Sequence, residues 1–134
     1  MIRRKKVTSK AKTVLLVDDD GDLVEVQEIL LTGLGYHVLT SLSAEAALEV
    51  LKQDVEIDLL LTDLGLPGMN GRELADVART LRPNIPVLFV TGLADPRIID
   101  VEALPPAMRL FVKPGPIEEF YAVLNAMMGG APQE

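Results

Sequence analysis

The stretch IDLLLTDLGLPGMNG, residues 57–71, runs three leucines and Thr62 into a carboxylate, Asp63, and then breaks into glycines, a proline and an asparagine. An apolar run without alternation fits a strand buried on both faces, as in a parallel sheet. The residues that follow are turn formers. The run therefore reads as a central strand with a charge at its carboxyl end. Three other segments share the texture: TVLLVDD (13–19), PVLFVTG (86–92) and MRLFVKP (108–114). HVLTS (37–41) is a fifth, less apolar strand.

Helical patterns lie between these runs. Leu23, Val26, Leu30 and Leu34 recur at helical spacing before Gly35,. Ser43 can cap a helix whose Ala44, Ala47, Leu48 and Leu51 share a face,. Leu74, Val77 and Leu81 repeat the pattern ahead of Pro83. Asp95-Pro96 looks like an N-cap followed by proline at the first helical position, predicting a short helix to about Leu104, closed by Pro105-Pro106,. The last helix spans about 116–128, with Ile117, Phe120, Tyr121, Leu124 and Met128 on one face. Five strands alternating with five helices predict an α/β fold with right-handed crossovers and a parallel sheet.

Composition limits the function classes. The chain has 134 residues, enough for one domain with a core, and no cysteine, which excludes disulfides and thiolate metal sites,. No apolar stretch reaches membrane-span length, and a long apolar leader is missing; the expectation is a soluble, cytoplasmic protein with no membrane partner. Arg3, Arg4, Lys5, Lys6, Lys10 and Lys12 make residues 1–12 basic. Without those six, seven bases face all twenty acids, about −13. So acidic a body argues against nucleic acid as a partner, and residues 1–12 are read as a flexible basic tail. Residues 13–128 form the domain, and 129–134 a flexible C-terminal tail.

In an open parallel sheet, functional groups gather beyond the carboxyl ends of the strands. Here those ends carry Asp18, Asp19 and Asp20, then Asp63, then Thr91-Gly92, then Lys113-Pro114. Carboxylates that close repel unless a cation sits among them. An oxygen-only donor set favours a hard ion such as Mg²⁺. A metal, a carboxylate, a hydroxyl and an ammonium are the parts needed to hold a phosphoryl group. Such acids can also form an acidic turn before a helix, whose N-terminus welcomes negative charge, and Asp20 is given that role. His37 is given none.

The set VDD, TDLGLPGMNG, VTG and VKP, in this order and spacing, resembles the receiver domain of two-component response regulators over residues 13–128. The resemblance implies a five-stranded parallel sheet in the order 2-1-3-4-5 flanked by five helices. It implies phosphorylation of Asp63 by a sensor histidine kinase or a histidine phosphotransfer protein. It further implies Mg²⁺ held by Asp18, Asp19, Asp63 and the backbone carbonyl of Gly65. Thr91, with Gly92, and Lys113 would bind the phosphoryl group, and the Lys113–Pro114 bond would be cis. Gly65 and Leu93 match the positions that tune phosphoryl lifetime. Output, and a possible homodimer, would use the face formed by the fourth helix, fifth strand and last helix. Two positions depart from the pattern: Leu110 replaces the switch aromatic, with Phe111 on the opposite face of the strand, and Gly115 stands where Phe commonly follows Lys-Pro,.

VLLVDDDGDL also resembles the first motif of haloacid-dehalogenase-type phosphatases. That alternative makes Asp18 the nucleophile and Asp20 the general acid, with Thr91 and Lys113 on phosphate. It leaves Asp63 unexplained, and only Glu118 and Glu119, in a helix, follow Lys113 as a further acidic pair. Under the receiver reading the chain is a signalling domain and not an enzyme. It is either a stand-alone receiver or the C-terminal receiver of a hybrid kinase.

Overall fold

The structure is a computed structural model that describes residues 11–92, 94–113 and 115–129. Both predicted tails fall largely outside the described residues, as do Leu93 and Pro114, and with Pro114 the expected cis bond. Five strands, β1 (Thr13–Val17), β2 (His37–Ser41), β3 (Leu59–Asp63), β4 (Val87–Thr91) and β5 (Met108–Val112), form one sheet. All pairings are parallel, and the order is β2-β1-β3-β4-β5. Four α-helices are present among the described residues: α1 (Gly21–Gly33), α2 (Ala44–Leu51), α3 (Gly71–Leu81) and α4 (Ile117–Met127).

The three central strands are apolar on both sides because both sides are covered. Leu15, Val17, Leu60, Val87 and Phe89 face a core shared with α2 and α3. Val14, Leu16, Leu59, Leu61, Leu88 and Val90 face a core shared with Val24 and Leu31 of α1 and Leu124 of α4. Each fully buried Leu or Phe in these layers contributes roughly 2–3 kcal/mol. Edge strands β2 and β5 are less buried, and His37 is exposed.

Two expectations are corrected. The predicted fourth helix, 95–104, does not form as an α-helix. Ile98 and Ile99 bond back to the Asp95 carbonyl for one turn. The chain then turns extended at Asp100, and a 3₁₀ turn follows at Val101–Ala103. The Asp100 carboxylate accepts from the Glu102 N–H at 3.2 Å, a local bond that competes with helix continuation,. β-Branched Ile98, Ile99 and Val101 add little helix preference, and Pro105 limits the length. In α1, the buried stripe is Val24 and Leu31, whereas Val26, Leu30 and Leu34 of the expected face are exposed. This helix carries apolar residues on more than one stripe, and the sheet takes only one of them. The cap predicted at Ser43 does form, accepting from the Ala46 N–H at 3.0 Å.

Candidate functional site

The pairing register decides what meets at the carboxyl edge. Val17 lies opposite Thr62 and Ser41, Asp63 opposite Val90, and Thr91 opposite Val112. The residues at or just past these positions, Asp18, Asp19, Asp63, Thr91 and Lys113, therefore end at one level. Asp18, Asp19 and Asp63 each place a carboxylate oxygen within 4.8 Å of the other two, the one such cluster among the described residues. Asp18 is buried, Asp63 half-buried and Asp19 exposed. Thr91 is buried at the end of β4, and its carbonyl accepts from the Lys113 N–H at 2.7 Å, tying the fourth and fifth strand ends together. Gly65 and Gly92 are exposed, each with open space where a side chain would begin.

Asp20 stands apart from this cluster. Its carboxylate accepts from the N–H groups of Asp22 and Leu23 and caps α1. Its own N–H donates to Asp18 Oδ1 at 3.0 Å, which orients the Asp18 carboxylate.

The charges are unbalanced. Burial pushes the Asp18 carboxyl above the ordinary carboxylate range. The Asp20 N–H opposes that rise, Asp63 adds to it, Lys113 opposes it and Asp19 adds to it, in decreasing order. The folded state thus holds this proton more tightly than the unfolded chain does. Stability is favoured below the unfolded value and is lost as pH rises through the raised one. At neutral pH the ionised Asp18 costs stability. Asp18→Asn keeps the oxygen that accepts from Asp20 and removes the charge. It is expected to raise Tm at pH 7 without divalent ions, with the gain shrinking in acid; an unchanged or lower Tm at pH 7 would contradict this balance.

The residues fit a hard divalent ion. The cluster offers oxygen only, with no nitrogen or sulfur donor. With Mg–O bonds of about 2.0–2.1 Å, oxygens on opposite sides of the ion lie about 4.2 Å apart, so a spread within 4.8 Å needs only slight closure or a bridging water,.

One residue of the site was missed by sequence reasoning. Gly71 opens α3, and a Cβ built there would lie 2.2 Å from the carbonyl oxygen of Asp63 and 3.0 Å from its carbonyl carbon. Its N–H also donates to the Leu64 carbonyl at 2.9 Å. The start of α3 is thus seated on the backbone that carries Asp63. Asn70 and Glu73 close this helix start with a reciprocal capping box,. The sequence signal was the final glycine of LPGMNG, which as a sequence says only "turn".

The response regulator receiver domain family matches residues 14–125. The chain belongs to this family. A two-component response regulator of Arabidopsis thaliana is 34% identical over 107 residues, covering 79% of this chain and 18% of that protein. The response regulator receiver protein CpdR of Brucella abortus is 37% identical over 83 residues, covering 62% of this chain and 68% of its own. The chain spans about a fifth of the length of the first curated relatives it matches, 17–19%. A response regulator receiver protein from Sinorhizobium medicae superposes with a TM-score of 0.79 at 28% identity, covering 90% of this chain and 96% of that one. The receiver domain of the hybrid histidine kinase CckA gives 0.73 at 26% identity, covering 87% and 98%. Membership favours the receiver resemblance over the phosphatase-type one. No helix of this receiver domain, among the described residues, is long and apolar enough to cross a membrane.

Proposed function

We propose that this receiver domain accepts a phosphoryl group on Asp63 from a histidine kinase or histidine phosphotransfer protein in the cytoplasm. The observation that carries the reading is the meeting of Asp63 with Asp18 and Asp19, at the level where Thr91 and Lys113 also end. An Asp63 carboxylate oxygen attacks phosphorus, a new O–P bond forms, and the P–N bond to the donor imidazole breaks. Asp18, Asp19, Asp63 and the Gly65 carbonyl would hold Mg²⁺, which supplies charge neutralisation during transfer. Lys113 would pair with the phosphoryl oxygens and the Thr91 hydroxyl would bond to one of them. Labelling with a small phosphodonor and Mg²⁺ tests this: one acid-stable, hydroxylamine-labile phosphoryl group per chain is expected, and its absence would overturn the reading.

Signalling would use the surface of 95–104, β5 and α4, where Val101 and Val112 are exposed. The switch cannot be a ring at 110. Leu110 packs toward the α3 side of the sheet, and Phe111 toward α4, where its ring meets Phe120 edge-on at 5.5 Å. A partner or a second copy would therefore read the movement of Thr91 and Lys113 through β5 itself.

The phosphoryl group should be long-lived. Hydrolysis needs a water held in line by a hydrogen-bonding side chain. Gly65 has no side chain, and Leu93, which lies outside the described residues, carries no polar atom. The expected half-life is minutes or longer. Gly65→Asn has open space for its side chain and is expected to shorten the lifetime by supplying a group that binds water. Loss of label after donor removal, at neutral pH with Mg²⁺, is the measurement. Decay within seconds in the unaltered protein would show that another group positions the water.

A further inference from the structure

On the opposite side of the sheet from α2 and α3, α1 and α4 do not close against each other at the site end. A cleft of about 160 Å³ remains, floored by buried Leu31, Leu61 and Val90. Its origin lies in how α4 is held. The C-terminal half is fastened by buried Leu124 and Met128 and by the Tyr36 hydroxyl, which donates to Asn125 Oδ1. At the other end Ile117 is exposed, and Gly115 lies so close to the Phe111 ring that a Cβ there would stand 2.9 Å from it. Leu30 and Ile117, both exposed, also line the cleft.

The lining selects a ligand class. Phe111, Phe120 and Tyr121 contribute three rings, already arranged edge-on and tilted with centroids 5.5 Å apart. Such walls favour an aromatic guest. The volume matches a single ring, since an apolar cavity of about 150 Å³ holds benzene. Among the described residues, Lys113 is the only charged one in the lining, and Gln27 adds an amide. We propose that this cleft is a binding site for a small aromatic carboxylate, its ring on the Phe111, Phe120 and Tyr121 side chains and its charge drawn to Lys113.

The charge of Lys113 also reaches Asp18. One ammonium cannot fully serve a carboxylate in the cleft and a phosphoryl group on Asp63 together. Binding of the two is therefore antagonistic, and by linkage each weakens the other equally. This coupling rests on the phosphoacceptor reading; the binding itself does not.

The test is titration of the unphosphorylated protein with benzoate and, separately, toluene, followed by NMR of the side-chain methyl groups. Both should give saturable shifts at Leu31, Leu61 and Val90, with a benzoate Kd of about 1 mM or tighter. Lys113→Met should weaken benzoate about tenfold and leave toluene unchanged. Val90→Phe should fill the cleft and abolish both. Leu30→Glu, at an exposed position that tolerates the change, should repel benzoate more than toluene. Absent or unsaturable shifts would overturn the site, as would benzoate shifts that survive both Val90→Phe and Leu30→Glu. Equal loss of both probes in Lys113→Met would overturn the ligand class. None of these readouts involves phosphoryl transfer, so failure of the phosphoacceptor reading would leave them unaffected.

Discussion

Asp63→Asn is expected to reduce phosphoryl incorporation from a small donor to background. The amide has the carboxylate's shape, so the fold and the neighbouring contacts persist. It lacks the charge and is a poor nucleophile, so the attack on phosphorus fails. The change also removes one of three clustered carboxylates. Asp63 is the larger of the two like charges that raise the Asp18 carboxyl, so its loss relieves that repulsion. The variant should therefore be at least as stable as the parent without metal, while binding Mg²⁺ more weakly. This separates lost chemistry from lost structure: label disappears while Tm holds or rises. Undiminished labelling of the variant would move the acceptor to another residue, with Asp18 and Asp19 the nearest candidates.

What could be read from the chain follows from how the sheet is buried. β1, β3 and β4 are covered on both faces, so nearly every position is apolar, and the first polar or charged residues after the apolar run mark the strand's carboxyl end. That pattern is local and dense, and it puts Asp18, Asp63 and Thr91 at the strand ends from sequence alone. Asp20 was legible as an acid at a helix start, because helix N-termini favour negative charge; that its carboxylate accepts from Asp22 and Leu23 is the finer detail,. The segment 95–104 was not, since Asp95-Pro96 signals a helix start as strongly as a real one does. What stops the helix is Asp100 bonding its own neighbour, a competition that periodicity does not register.

α1 shows the opposite failure. Leu23, Val26, Leu30 and Leu34 make a plausible stripe, but apolar residues elsewhere on the same helix leave the choice to the sheet. The sheet buries Val24 and Leu31. The exposed remainder includes Leu30, which lines the cleft beside α4. That cleft depends on the anchoring of α4 at its other end. This is a tertiary fact and leaves no mark at helical spacing.

Gly71 is the sharpest case, and its replacement carries the second large expected effect. Glycine in LPGMNG suggests a turn needing positive φ, and Gly68 meets that need at φ 73°. Gly71 is not among the positive-φ glycines; its requirement is space. A Cβ there would stand 2.2 Å from the Asp63 carbonyl oxygen, roughly 1 Å inside van der Waals contact, and its neighbours are backbone atoms rather than a side chain that can swing away,. β3 cannot yield easily, because it is paired with β1 on one side and β4 on the other. The start of α3 must move instead, straining the Gly71–Leu64 hydrogen bond and the Asn70–Glu73 capping box. Overpacking of this kind costs about 1–3 kcal/mol, and a disturbed cap adds about 1 kcal/mol. Gly71→Ala is therefore expected to lower stability by about 3 kcal/mol and Tm by about 10 °C. Whatever movement β3 does share displaces the acceptor, and a 1 Å misplacement of a reacting group can cost about a hundredfold in rate. Gly65→Ala is the matched control, six residues earlier in the same loop and with nothing near its added methyl. It should leave Tm within about 1 °C and labelling within about twofold. Thermal melts and labelling time courses on the two variants decide the matter. If Gly71→Ala melts and labels like Gly65→Ala, the helix is not seated on the Asp63 backbone, and Gly71 plays no part in positioning the acceptor.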